Sequence, residues 1–109
     1  METTIRTDSV TVKITANDKG NPPGKLADAE LHFADGPLAG LKLIGFAIWE
    51  RRGATTRNVT FPARQYSVNG ERRSFALLRP IVDASAQAAV RDRILEAYAE
   101  YEQAVAANG

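Results

Sequence analysis

Seven arginines and no lysine lie between Arg51 and Arg79, and Glu71 is the only acidic residue of this stretch. The chain as a whole is nearly neutral, with a formal net charge of +1 at pH 7. Its positive charge is therefore concentrated in one region. A planar guanidinium group forms bidentate contacts with phosphates and with base edges, and a local positive field attracts anionic partners.

Five of these arginines are candidate residues for binding nucleic acid. They are Arg51 and Arg52 after the third predicted strand, Arg64 beside the fourth, and Arg72 and Arg73 just past a predicted hairpin tip. Three aromatic residues lie within the same stretch, between Arg51 and Arg79. By strand alternation Phe61 and Phe75 are expected in the core, and Tyr66 on the surface near Arg64.

The residues alone leave three interpretations open. The arginine-rich stretch could bind nucleic acid, form a protein or dimer interface, or neutralise acidic residues such as Asp83, Asp92, Glu96, Glu100 and Glu102. Surface ion pairs contribute only about 0–1 kcal/mol each, so neutralisation gives little reason to concentrate arginines. The alternative to nucleic acid is a non-enzymatic interaction module whose arginine-rich face docks an acidic partner.

Catalytic and metal-binding groups are scarce in this sequence. His32 is the only histidine, and there is no cysteine. His32 alternates with Asp28 and Glu30, a pattern typical of a solvated strand face. No glycine-rich phosphate-binding motif is present. We therefore expect no enzymatic activity, no metal or other cofactor, and no small-molecule substrate.

Length and composition are those of a single domain over residues 1–109, with 44% apolar and 25% charged residues. The first four residues include a glutamate and start no apolar run, unlike a secretory signal. The longest mostly apolar run, residues 38–49, contains Lys42 and is too short to span a bilayer. These features predict a cytoplasmic protein without a membrane partner, with flexible ends at residues 1–9 and 106–109.

Hydrophobic periodicity predicts an α+β fold, in which an antiparallel β-sheet of about five strands precedes one long C-terminal α-helix. Apolar and polar residues alternate in strands at residues 10–15 and 27–33. Asn69-Gly70 between two strand-like runs predicts a type I′ hairpin turn. The last strand is predicted at residues 72–79.

The C-terminal segment has the spacing of an amphipathic helix. Apolar residues recur every three or four positions from Val90 to Val105, and no Gly or Pro interrupts residues 84–108. Asp83 or Ser85 can cap the helix N-terminus. A helix of this length is expected to extend beyond its own sheet.

The third predicted strand, residues 41–49, is apolar on both faces. Strict alternation separates Leu41, Leu43, Ala47 and Trp49 from Ile44, Phe46 and Ile48. One helix covers one face of a sheet, so either the N-terminal strands or a second copy of the chain is expected to cover the other. The candidate interface residues of this homodimer are Ile44, Phe46, Ile48 and Trp49. Gly45 indicates a bulge or a close backbone approach.

The order of segments resembles the stage V sporulation protein G (SpoVG) family, also called septation regulators. The residues that carry the likeness are Ile44-Gly45-Phe46-Ala47-Ile48-Trp49-Glu50, Phe61-Pro62-Ala63-Arg64, Arg79-Pro80-Ile81 and Ile94-Leu95-Glu96-Ala97-Tyr98. It covers residues 25–101. Arg79 stands where the family usually has histidine, and the loop at residues 53–58 is longer.

This resemblance implies a small α+β fold and homodimers joined through the sheet. It also implies direct binding of DNA and RNA by basic residues around the last hairpin. On this sequence those positions correspond to Arg64, Arg72 and Arg73, with Arg51 and Arg52 as additions.

Overall fold

The computed structural model describes residues 10–19, 21–51 and 57–108. The elements in chain order are β1 (Val10–Ala16), β2 (Lys25–Phe33), a short 3-10 helix (Gly36–Leu38), β3 (Lys42–Glu50), β4 (Arg57–Thr60), β5 (Ala63–Val68), β6 (Glu71–Ala76) and α1 (Ser85–Asn108). Arg52 and residues 1–9, for which the sequence predicts flexibility, lie outside the described residues. Residues 106–108 of the other predicted flexible end belong to α1.

Strands β1 to β4 form one antiparallel sheet in the order β1-β2-β3-β4. Its buried face follows the alternation of the sequence, since Ala27, Ala29 and Leu31 of β2 are all buried. The helix α1 covers this face and contributes Ile94 and Tyr98 to the core. The predicted α+β fold with one long C-terminal helix is therefore confirmed, and the third strand is an inner strand as expected.

Strand β3 changes the direction of its side chains at Gly45. Between Leu43 and Phe46 its register with β2 shifts, so β3 carries a bulge there. Gly45 has φ +109°, a backbone conformation that side-chain-bearing residues rarely adopt. Because of the bulge, Leu43, Phe46 and Ile48 all lie on the helix side of the sheet. The predicted separation of Leu43 from Phe46 and Ile48 is wrong for this reason.

The face of the sheet opposite α1 is mainly polar. The strand register assigns to it Thr11, Lys13, Thr15, Asp28, Glu30, His32, Lys42, Ala47, Trp49, Asn58 and Thr60. The expectation that β3 has a second, wholly apolar face is therefore wrong, because the bulge places Leu43 on the helix side together with Phe46 and Ile48 and leaves Ala47 and Trp49 among polar residues.

Strands β5 and β6 form a separate two-stranded antiparallel ribbon. Between β4 and β5 lies Phe61-Pro62, and Pro62 has no N–H to donate to a neighbouring strand. Pro62 packs against the bulge, since a Cβ added to Gly45 would lie 2.8 Å from the Pro62 Cβ. The strands are thus divided between a four-stranded sheet and a ribbon, where the sequence predicts about five in one sheet.

The ribbon turns at Asn69 and Gly70, whose φ angles are 53° and 82°. A type I′ turn requires positive φ at both central residues, and its twist matches that of the flanking strands. The predicted hairpin turn is therefore confirmed.

The N-terminus of α1 is capped by Asp83, one of the two predicted capping residues. The backbone N–H of Ser85 donates to Asp83 Oδ1 at 2.9 Å, and the Ser85 hydroxyl donates to the same oxygen. These hydrogen bonds hold the pKa of Asp83 below its usual value. At the other end the helix extends past its packing surface, since Val105 is 51% exposed.

Candidate nucleic-acid interface

The ribbon holds three of the predicted arginines. Its register places Arg64 opposite Phe75 and Tyr66 opposite Arg73. Because directly opposed residues share one face of an antiparallel pair, these four side chains form a square. The arginines occupy one diagonal and the aromatic rings the other. We call this surface the arginine–aromatic face.

The two rings of the arginine–aromatic face contact each other. Their centroids are 5.6 Å apart with an interplanar angle of 61°, an edge-to-face arrangement. Tyr66 and Phe75 nevertheless remain 40% exposed each. Every residue of β5 is exposed, and so is every residue of β6 before Ala76. The rings therefore fix each other's position without entering the core.

Within the described part of the chain, two of the ribbon arginines are free of carboxylate partners. Among the described residues, no carboxylate lies within ion-pair distance of Arg64 or Arg72. Arg73 Nη2 lies 2.9 Å from Glu71 Oε1, and both side chains are more than half exposed. An exposed pair of this kind is weak and screened by salt, so a phosphate can compete for Arg73.

Arg72 lies on the opposite face of the ribbon. It pairs with Ser67, and the next opposed pair on this face is Gln65 with Ser74. These side chains are polar and exposed. The ribbon thus presents guanidinium groups on both faces, with aromatic rings on only one.

Two other described arginines of the stretch, Arg51 and Arg57, lie apart from the ribbon. Arg51 is exposed and follows β3 at the end where Glu50 pairs with Arg57, whereas the ribbon begins beyond the opposite end of β4. Arg57 Nη2 lies 3.2 Å from Glu102 Oε2 of α1. Neutralisation of helix carboxylates, the least directed of the three interpretations, therefore accounts for Arg57.

The predicted location of one aromatic residue is wrong. Phe75 was expected in the core but is exposed on the ribbon, because β6 pairs with β5 rather than with the sheet. Phe61 does reach the core, with its ring 5.2 Å from that of Phe46. The Asn69-Gly70 turn could have given the neighbours of Phe75, since a two-residue loop fixes Arg64 opposite Phe75 and Tyr66 opposite Arg73, but it does not give the exposure of the ring.

The predicted dimer residues are separated by the fold. Phe46 and Ile48 are fully buried within the chain itself, so neither offers surface to a second subunit. Ile44, within the bulge, is 58% exposed. Trp49 is partly buried, and its Nε1–H donates to Thr60 Oγ1 at 2.9 Å. Of the four, only Ile44 and Trp49 retain accessible surface.

His32 belongs to a polar cluster on the open face of the sheet. His32 Nε2 and Glu30 Oε1 are 2.8 Å apart, and Lys42 Nζ lies 3.5 Å from the same oxygen. Hydrogen bonding to His32, followed by the charge of Lys42, lowers the pKa of the Glu30 carboxyl. Within the described ranges, no three His, Cys, Asp or Glu side chains are placed to hold a metal ion.

The fold and this surface define a class of protein: an antiparallel sheet covered by one helix, with a separate, exposed, arginine-bearing ribbon. The helix of the described chain does not have the apolar length needed to cross a membrane. Comparison of the chain with protein-family models, with curated proteins and with solved structures found no match. The resemblance to the SpoVG family rests on the residues quoted for it and stays a prediction.

Proposed function

We propose that this chain is a cytoplasmic homodimer that binds nucleic acid, DNA and also RNA, through its ribbon. The observation that carries the proposal is the joint placement of Arg64, Arg72 and Arg73 on one exposed hairpin. Guanidinium groups that lack strong internal partners are available to phosphates, and their binding releases counterions from the nucleic acid.

The shape of the ribbon supports the same proposal. A two-stranded ribbon fits the major groove of B-DNA, which is about 12 Å wide. Because Arg72 lies on one face and Arg64 with Arg73 on the other, the ribbon offers guanidinium groups to phosphates from both of its faces. Contacts to phosphates position the protein, and contacts to base edges provide sequence preference.

The aromatic pair distinguishes nucleic acid from an acidic protein as the partner. An acidic surface offers carboxylates to the arginines but has no particular use for two exposed rings between them. Nucleic acid provides both charged phosphates and the flat surfaces of its bases, and aromatic side chains with arginine are the usual combination that binds them.

The experiment is a titration of labelled duplex DNA between about 50 and 200 mM salt. The wild-type protein is compared with a variant that carries Arg72→Ala and Arg73→Ala. The slope of log K against log salt is negative, and each lost phosphate contact makes it shallower by about 0.9, so the slope of the variant is expected to be shallower by close to two. Affinity should fall at every salt concentration.

The matched control carries Lys13→Ala and Lys19→Ala, which remove two positive charges from exposed positions outside the ribbon. It should retain the wild-type slope, because only charges in contact with phosphates release counterions. Equal loss in both variants, or no binding by the wild type at low salt, would contradict the proposal. Protein purified free of nucleic acid but bound to an acidic protein would favour the interaction module.

The homodimer of this proposal uses a surface other than the centre of β3. Ile81 and Val82, between β6 and α1, are 98% and 90% exposed. Beside them lies a shallow groove of about 100 Å³ lined by Phe61, Leu78 and Val90 among others. A two-fold interface uses the same patch on both subunits, and an apolar projection next to an apolar groove meets that requirement.

A regulatory role, of transcription or of RNA, follows from the proposed binding together with the resemblance to the SpoVG family. The ribbon arginines Arg64, Arg72 and Arg73 are the positions that the resemblance implies for binding. Arg51 and Arg52 are proposed only as secondary contacts, since Arg51 lies apart from the ribbon.

A further inference from the structure

The exposed rings of the arginine–aromatic face require a partner with flat apolar surfaces. Tyr66 and Phe75 contact each other on the ribbon, yet 40% of each side chain remains accessible. In a duplex the faces of the bases are stacked on one another, and only their edges are accessible in the grooves. A single strand exposes base faces, which stack on aromatic side chains.

The residues around the rings argue against two other occupants. A second copy joined face to face would bring Arg64 and Arg73 of both chains together, and like charges disfavour that contact. Against an anionic membrane, the ribbon tip presents Asn69, Gly70 and Glu71 rather than apolar side chains. Polar and acidic groups at the tip oppose insertion into lipid.

We infer that the arginine–aromatic face binds single-stranded nucleic acid, with bases stacked on Tyr66 and Phe75 and phosphates held by Arg64 and Arg73. This inference rests on the proposed function and adds the strandedness of the ligand and its mode of binding. The edge-to-face contact sets the orientation of the rings before binding, so little conformational freedom is lost when bases stack on them. Arg72, on the other face, adds charge to the site but no stacking surface.

The experiment compares four probes by fluorescence anisotropy: oligothymidylate, oligouridylate, a duplex of matched length, and a strand of the same length made of abasic sites. The wild type should bind the two single strands at least about tenfold more tightly than the abasic strand, because stacking on each ring contributes on the order of 5- to 150-fold. It should also prefer them to the duplex.

Variants then assign the preference to the rings. Tyr66→Leu with Phe75→Leu should bind oligothymidylate about as weakly as the wild type binds the abasic strand. Tyr66→Phe keeps the ring and should keep the affinity, and Val68→Ala, on the same face nearer the tip, is the matched control. The salt dependence of binding should be unchanged in the leucine variant, since the arginines remain; a collapsed ribbon would lower it.

Four outcomes overturn the inference. If the duplex binds as tightly as the single strands, or the abasic strand binds as tightly as oligothymidylate, stacking is not the mode and the proposed function stands. If no nucleic acid binds, the proposed function fails as well. If vesicles of phosphatidylserine and phosphatidylcholine bind instead, the rings contact a membrane surface.

Discussion

Tyr98 is a titratable group buried in the core. Its side chain is 7% exposed on the inner face of α1. Burial, and to a lesser extent the negative charge of Glu102, raises the pKa of the Tyr98 hydroxyl above its ordinary value of 10.0. The folded state therefore favours the neutral phenol more strongly than the unfolded chain does.

A raised pKa makes stability dependent on pH in one direction. The contribution of Tyr98 is fully present below its ordinary pKa and is lost as the pH rises through the higher pKa of the folded state. The free energy of unfolding, measured in urea, should therefore fall more steeply above pH 10.0 in the wild type than in Tyr98→Phe. Tyr66→Phe, at an exposed position, should follow the wild type. Parallel curves for wild type and Tyr98→Phe would contradict the assignment.

The contact between Gly45 and Pro62 separates the ribbon from the sheet. Gly45→Ala should destabilise the protein for two reasons: φ +109° is strained for alanine, and its Cβ would lie 2.8 Å from the Pro62 Cβ. Gly40→Ala is the matched control, since Gly40 has φ +86° and no heavy atom within 4 Å of an added Cβ.

Backbone strain alone costs on the order of 1–3 kcal/mol, so Gly40→Ala should lower the free energy of unfolding, measured in urea, by this amount. The loss for Gly45→Ala should exceed it by the cost of displacing Pro62. Equal losses at the two positions would show that Pro62 moves away freely. In that case the contact between Gly45 and Pro62 does not fix the direction of the ribbon.

The helix α1 contributes to stability mainly through its central turns. Ile94 is fully buried, so Ile94→Ala should lower the free energy of unfolding by about 2–5 kcal/mol. Val105→Ala, on the overhanging end where the side chain is 51% exposed, should change it by less than about 0.5 kcal/mol in the monomer. A large loss at Val105 would mean that another surface covers this end.

Elements that follow from a local residue pattern were predictable from the sequence. Features that depend on one residue interrupting a strand, such as the bulge at Gly45, were not. The alternation of β2 and the Asn69-Gly70 turn correctly gave a strand face and a hairpin. At Gly45 one extra residue reversed the faces of β3, which alternation alone cannot show. Phe75 is exposed because β6 does not join the sheet. The contact of Pro62 with Gly45, between β4 and β5, separates β6 from the sheet, and a contact between residues so far apart in the chain is not visible in the alternation of either strand.

At the scale of the whole molecule, charge and shape act together. The Cα radius of gyration is 16.1 Å, whereas a compact chain of this length has about 13 Å. The ribbon bears three arginines, and α1 exposes Asp92, Glu96 and Glu100. An anionic polymer is therefore attracted to the ribbon and repelled by the exposed face of the helix, which orients its approach.

The exposed apolar segment at Ile81 and Val82 leads to the last prediction, which concerns assembly. The exposure of two neighbouring apolar side chains to water is unfavourable. An apolar groove lies beside them, so two copies of the chain can cover each other's exposed segment. We expect a dimer at micromolar concentration by light scattering. Burial of an isoleucine or valine side chain contributes about 1.5–3 kcal/mol, so Ile81→Ser with Val82→Ser should weaken the dimer by at least about a hundredfold.

The control for assembly is Leu38→Ser, which removes an apolar side chain that is 50% exposed in the 3-10 helix, outside this patch. It should leave the dimer intact. The serine variant should also bind nucleic acid more weakly, because a monomer presents one ribbon where a dimer presents two on the same strand, and linked sites raise the effective concentration. A wild-type monomer would remove the dimer from the proposal. If dimers persist in the serine variant, the interface lies elsewhere. Ile44 and Trp49, the two predicted interface residues that keep accessible surface, are then the next candidates.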